Sequence, residues 1–215
     1  MFLQYLWMDP TYYVSWVVIV CFSISVHECS HTIAAYKLGD ATAYNEGYLT
    51  LNPIKVMGPY ALGALAVLGL AWASVPVAKS RLHRRSATAL ISFSGPASNL
   101  CLGIAFAFLA ALTGAVAGAH SGVAQMFFKV LQVGAEANAF LCLLNILPVP
   151  FLDGWDVFTY FVPEANKLDQ QTQGYITLGV ILGLFFLGGF RILFSVAGAF
   201  RDSVISFFLV FFGGG

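Results

Sequence analysis

Charge is what this sequence has least of. Only 9% of its 215 residues are Asp, Glu, Lys or Arg, while 59% are hydrophobic. An ordinary soluble domain carries about a quarter charged residues. Ten basic and ten acidic residues cancel to a net charge of zero, which excludes a basic nucleic-acid-binding protein. Low charge together with 20 Phe also excludes a disordered chain, which needs few apolar residues and usually a large net charge. Cysteine is scarce as well. Cys21, Cys29, Cys101 and Cys142 all sit in apolar stretches and form no C-x-x-C pair, so they read as small buried hydrophobes rather than a disulfide framework. The first ten residues lack a basic segment and a small-residue cleavage site, which argues against a removable signal peptide.

Long uncharged runs are what the chain has in abundance. Residues 10–26, 56–78, 86–128, 137–152, 170–190 and 203–215 contain no Asp, Glu, Lys or Arg. A helix crossing a bilayer needs about 20 mainly apolar residues, and the chain consists almost entirely of such segments. The expected fold is therefore an all-α polytopic membrane protein. It has about five to six hydrophobic segments and a small membrane-associated β-hairpin. A single domain over 1–215 is expected, with the core at about 12–156 and C-terminal hydrophobic segments at 170–212. The hairpin is placed at 40–55, where Asn45-Glu46-Gly47 reads as a turn and Tyr48–Leu51 has strand propensity. Residues 58–76 form a thin span or a re-entrant segment. Residues 173–190 read as a further span, and 192–212 as an interfacial helix or two short pieces because of Arg201-Asp202.

The chemistry-bearing motif lies in the first span: His27-Glu28-Cys29-Ser30-His31. On a helix, positions i and i+4 share one face, so both imidazoles can reach one Zn²⁺. Glu28, next to the first, can act as a general base. An ionisable residue at the centre of a spanning helix costs roughly 2.5–3.5 kcal/mol on insertion scales, and three in one turn need a shared use. A catalytic zinc site needs a third protein ligand. His83, in the basic segment 79–85, and His120, in a small-residue connection, are poor candidates. Asp153 is better placed, after the helix-interrupting Pro148 and Pro150. Asp156, Glu136 and Glu46 are the alternatives.

Three segments together resemble the site-2 protease family of intramembrane zinc metalloproteases (peptidase family M50). These are the His27–His31 motif, Asn145-Ile-Leu-Pro148-Val-Pro150-Phe-Leu-Asp153-Gly154, and Ser94-Gly95-Pro96-Ala97-Ser98-Asn99. The resemblance covers about residues 12–156 and implies a three-helix catalytic core there. It implies that His27, His31 and Asp153 ligate one zinc per chain and that Glu28 is the base. It further implies that Asn145 binds substrate backbone or stabilises an oxyanion. Asn99 is read as a helix–helix hydrogen bond, and Cys29, where the family commonly has a larger apolar residue, as packing.

The expected activity is zinc-dependent hydrolysis of peptide bonds in membrane-spanning protein substrates, with the lipid bilayer as the other partner and no nucleic acid. The alternatives are a metal or proton transporter using the same cluster, and an inert zinc-binding membrane protein. Basic residues distribute best if 58–76 re-enters, which puts Lys37, Lys55, Lys79, Arg81, Arg84, Arg85 and Lys167 on one side and Lys129 opposite. The protein is then expected in the cell (inner) membrane with its active site open to the cytoplasm. A strand near Leu49–Leu51 could hold an unwound substrate by strand addition.

Overall fold

The structure, a computed structural model, describes residues 2–78, 81–82, 84–117 and 122–212. Lys79, His83 and His120 lie outside the described residues. The helices are α1 (Tyr5–Met8), α2 (Pro10–Lys37), α3 (Thr42–Asn45), α4 (Pro53–Leu68), α5 (Arg85–Ala117), α6 (Gly122–Asn145), α7 (Asp153–Phe161), α8 (Gln170–Phe186) and α9 (Gly189–Phe211). Their ends follow local chemistry. Asp9 caps α2 by accepting from the Tyr12 N–H at 3.1 Å, with Pro10 at the first position. Asn52 does the same for α4 through Ile54, followed by Pro53, and Asp169 for α8 through Thr172.

Among the described residues, four helices are long and apolar enough to cross a membrane: Pro10–Lys37, Ser86–Val116, Gly122–Asn145 and Gly189–Phe211. The last is one continuous helix, which corrects the reading of 192–212 as two short pieces. Arg201 is paired with Glu136 of α6 as well as with its neighbour Asp202, so the charge that breaks the apolar run is neutralised by a partner distant in sequence. Helices α2, α5 and α6 form the expected three-helix core. Trp16, Ile19, Val20 and Ile24 of α2 pack with Val133, Ala137 and Leu141 of α6 and with Val56, Met57, Ala61 and Leu65 of α4. Small residues of α5 (Ala107, Ala110, Ala111) let α9 come close at Ile205.

The expected β-hairpin is absent: no strand occurs among the described residues. Residues 42–45 are helical, so Tyr48–Leu51 has no partner strand. Its backbone is spent on local turns instead, Tyr48 N–H to the Ala43 carbonyl at 2.9 Å and Thr50 N–H to the Tyr48 carbonyl at 2.9 Å. Thr50 and Asn52 side chains then accept from Asn52 and Ile54, the local bonding by which such residues compete with sheet formation.

Residues 50–78 go into the bundle and come back. The Thr50 carbonyl meets Cys29 Sγ at 3.3 Å. From there α4 runs antiparallel to α2, with a kink at Gly58 (φ 73°) before Pro59. It ends where Tyr13 Oη donates to the Ala66 carbonyl and Trp16 Nε1 to that of Gly69, both at 2.9 Å. Cys29 and Trp16 are about 20 Å apart along α2 at 1.5 Å per residue. Gly69 turns the chain with φ 75°, and residues 70–78 return without regular secondary structure. Nine extended residues cover about 30 Å. The return ends where the Ala78 N–H donates to Asp40 Oδ2 at 2.6 Å. Both ends of the excursion thus lie toward the C-terminal half of α2, as in a re-entrant arrangement.

Asp40 is the latch of this arrangement. It has no solvent exposure, and its Oδ1 accepts from both the N–H and the hydroxyl of Thr42. Burial pushes its carboxyl up, but the hydrogen bonds from Thr42 and Ala78 and the nearby Arg81 outweigh this and hold it below the ordinary value. A depressed carboxylate contributes stability above its unfolded value, and that stability is lost as pH falls through the folded value. Asp40→Asn, which sets an NH₂ against one of these donors, is expected to lower stability at pH 7 by about 1–3 kcal/mol. The difference from wild type should narrow below about pH 4. Thermal unfolding in detergent across pH measures this, and a pH-independent difference would contradict the latch.

Candidate metal centre

Helix α2 carries Ser23, His27 and His31 at four-residue steps, so all three face the same side, toward α5 and α6. Helix α5 can approach this face only because residue 95 is glycine. A Cβ there would run into the rings of His27 and His31. The other wall is the loop after α6. Pro148 and Pro150 end the helical path, and Phe151 adopts a left-handed conformation (φ 67°), an uncommon and strained state for a non-glycine residue. The turn delivers Asp153, the first residue of α7, to the histidines. Gly154 lies against the Ile146 and Leu147 carbonyls, where a Cβ would collide. The glycines of the two longer motifs are therefore close-approach positions.

The geometry brings three of the expected residues together. Asp153 Oδ2 lies 2.9 Å from His27 Nε2 and Oδ1 lies 3.2 Å from His31 Nε2, with the two Nε2 atoms 3.0 Å apart. His27, Glu28 and His31 are 6%, 4% and 6% exposed, so water does not solvate them. His31 Nδ1 faces the Ile91 carbonyl at 2.8 Å. A carbonyl only accepts, so the proton of the neutral ring is on Nδ1 and the lone pair on Nε2. His27 Nδ1 faces Asn99 Oδ1 at 2.6 Å, which assigns it the same tautomer.

Two nitrogen lone pairs and a carboxylate therefore converge on one point. Glu28 Oε2 and Asp153 Oδ2 are buried with no hydrogen-bond donor. Such a set repels itself unless a cation sits among it. Ligand atoms bound tetrahedrally at about 2.0–2.1 Å lie about 3.3 Å apart, and two imidazoles with one carboxylate leaving a fourth position open is a common catalytic zinc donor set. The residues fit a zinc ion, and His27, His31 and Asp153 are the one such group among the described residues.

Two cavities flank this point. One, of about 130 Å³, is lined by His27, Glu28, Ala71, Trp72, Asn145 and Asp153 among others. The other, of about 250 Å³, is lined by Glu28, His31, Ser74, Val75, Asp153 and Asp156 among others. Asn145 thus stands at the site without touching the donor atoms, and its amide donates to the Leu141 carbonyl at 3.0 Å. Of the alternative carboxylates, Asp156 accepts from the Ser92 hydroxyl at 2.9 Å, Glu136 is paired with Arg201, and Glu46 is exposed in the turn after α3. None joins the donor set. Cys29 points away from it, toward Thr50.

Sequence reasoning missed segment 71–77, Asn138 and Ser23, and gave Asn99 only a helix-joining role. Segment 71–77 borders both cavities, and the Val75 N–H is directed at the Glu28 carboxylate. Asn99 contacts His27 directly rather than only joining helices. Asn138 and Ser23 stand behind it. The spacing held a signal for the last two, because Ser23 is one turn before His27 and Asn138 two turns before Asn145.

Gly95→Ala is expected to displace both imidazoles and weaken zinc binding by at least tenfold, since ligand orientation commonly carries that much affinity. Gly63→Ala, where an added Cβ meets nothing, should leave it unchanged. Competition with a chromophoric chelator on the purified proteins reads both, and equal affinity in the two would contradict the packing argument.

No protein-family model and no solved structure matches the chain. Curated proteins do. The chain is 34% identical over 206 residues to "Putative zinc metalloprotease YwhC" of Bacillus subtilis, covering 91% of each. It is 33% identical over 174 residues to "Putative zinc metalloprotease Rip2" of Mycolicibacterium smegmatis, covering 74% of this chain and 63% of that one. The Mycobacterium tuberculosis protein of the same name is 34% identical over 164 residues, covering 71% and 58%. With this likeness over nearly its full length and a His-His-Asp donor set inside an apolar helical bundle, the chain belongs to the site-2 protease family of membrane zinc metalloproteases.

Proposed function

We propose that the protein is an intramembrane zinc endopeptidase that cuts membrane-spanning protein substrates. The observation that carries this is the buried Glu28 carboxylate beside a His27–His31–Asp153 donor set, with cavities on both sides. A structural metal site has no use for a buried base beside it, and a relay of protons has no use for a cleft. Zinc held by these residues supplies a Lewis acid and lowers the pKa of water to about 7. Glu28 accepts the proton of the attacking water and returns it to the leaving amine. Asn145, on the wall of the smaller cavity, offers its amide N–H to the substrate carbonyl oxygen as negative charge develops there.

A helical substrate hides its peptide bonds in its own hydrogen bonds and must unwind. Segment 71–77 is the surface that supports this step, in place of residues 48–51. It has no helix or strand of its own, it borders both cavities, and its Val75 N–H is directed at Glu28. An unwound substrate pairs with it by strand addition, main chain to main chain. The end of the bundle holding the latch also gathers Lys37, Lys55, Arg81 and Arg84, whereas Lys129 pairs with Asp9 at the opposite end at 2.6 Å. The positive-inside bias then places the latch end in the cytoplasm of a cell (inner) membrane.

Two experiments test these readings. In liposomes with a transmembrane reporter, Glu28→Gln should keep its zinc and lose cleavage by at least a hundredfold. Retained cleavage would remove Glu28 as the base, and transport of metal or protons without cleavage would replace the protease reading. Ala73→Pro, which deletes a backbone N–H from a residue lining both cavities, should cut cleavage at least tenfold with zinc content unchanged. Full cleavage in that variant would reject strand addition at 71–77.

A further inference from the structure

Behind His27 a line of polar side chains crosses the apolar packing of α2, α5 and α6. Ser23, Asn99 and Asn138 have no solvent exposure at all. Asn99 Oδ1 lies 2.6 Å from His27 Nδ1. Asn99 Nδ2 donates to Asn138 Oδ1 at 3.0 Å. Asn138 Nδ2 donates to Ser23 Oγ and to the Gly134 carbonyl, each at 2.9 Å.

The far end of this line decides the near end. Neither neighbour of Asn99 is decisive by itself, because an imidazole and a carboxamide can each present a donor or an acceptor. The Gly134 carbonyl can only accept. The atom of Asn138 facing it is therefore Nδ2, which leaves Oδ1 toward α5. Asn99 must answer with Nδ2, so its Oδ1 faces His27. His27 must then donate from Nδ1, and its lone pair falls on Nε2, where Asp153 and His31 meet. A flipped Asn99 would select the other tautomer and aim an N–H into the donor set.

We propose that Asn138 is a positioning residue. Anchored by the Gly134 carbonyl and Ser23, it fixes the Asn99 amide and through it the tautomer and orientation of the His27 imidazole. The proposal rests on His27 being a metal ligand, and its test reads tautomer and metal rather than cleavage, so that either can fail alone. Outer partners of ligating histidines typically carry about ten- to a hundredfold in metal affinity. Asn138 touches no donor atom of the metal site, so its effect must pass through Asn99.

The experiment uses the full chain in detergent with ¹⁵N-labelled imidazoles, first without metal and then titrated with zinc against a chelator. Wild type should show His27 protonated at Nδ1. Asn138→Leu should populate the Nε2–H form and bind zinc about ten- to a hundredfold more weakly. Asn138→Asp, which keeps an acceptor for Asn99 Nδ2, should restore the Nδ1–H form and most of the affinity. In the Asn99→Leu background, Asn138→Leu should cost nothing further. Where Asn138→Leu does not fold, Asn138→Ala carries the same expectations. An unchanged His27 tautomer in the Leu or Ala variant, or losses that add in the double variant, would overturn the relay.

Discussion

Everything in this molecule answers to one constraint: polar atoms at membrane depth cannot turn to water. Two imidazoles and two carboxylates sit within one turn of a spanning helix and the loop facing it, and each is nearly or largely closed off from solvent. The outer imidazole nitrogens are spent on the Ile91 carbonyl and Asn99. The inner nitrogens and Asp153 have only one another, and two carboxylate oxygens have no donor. Electron pairs without protons, converging from three sides, make a cation the missing partner. This set defines the metal centre more sharply than the presence of histidine does.

The rest of the bundle brings those groups together without bulk and without loose backbone. Gly95 lets α5 lie against the imidazoles, and the strained turn at Phe151 with Gly154 brings Asp153 back to them. The excursion of residues 50–78 carries non-helical chain into the bundle, which is tolerated only where it is covered by protein or lines a cavity. Here it does both. Asp40 holds its returning end, Trp16 and Tyr13 hold its far turn, and its middle borders the cavities beside Glu28.

The sequence made the site more legible than the architecture around it. His27, Glu28 and His31 stand out because charged and titratable residues are costly in an apolar helix. Asp153 stands out because two prolines break the helix before it. The apolar length of α2 and α5 follows from their uncharged runs, whereas α6 carries Lys129 and Glu136 and its place in the core follows from the resemblance. The reading went astray where local pattern and distant partner disagree. Tyr48–Leu51 has strand-forming residues, but a strand needs another strand, and residues 42–45 had already become helix. Arg201-Asp202 looks too polar for a span until Glu136 is found opposite. Residues 70–78 look like the end of an apolar helix, and only the anchors at Gly69 and Ala78 make them extended. The Asn99–Asn138–Ser23 line was hidden because buried amides are as often simple helix contacts.

The account stands on His27, His31 and Asp153 holding a zinc ion inside the membrane-embedded bundle. X-ray absorption at the zinc edge on the protein purified in detergent tests this most directly. The expected result is one zinc per chain with nitrogen and oxygen ligands alone at about 2.0–2.1 Å, including two imidazoles. Sulfur at about 2.3 Å, or a chain purified with its fold intact and unable to take up zinc, would contradict it.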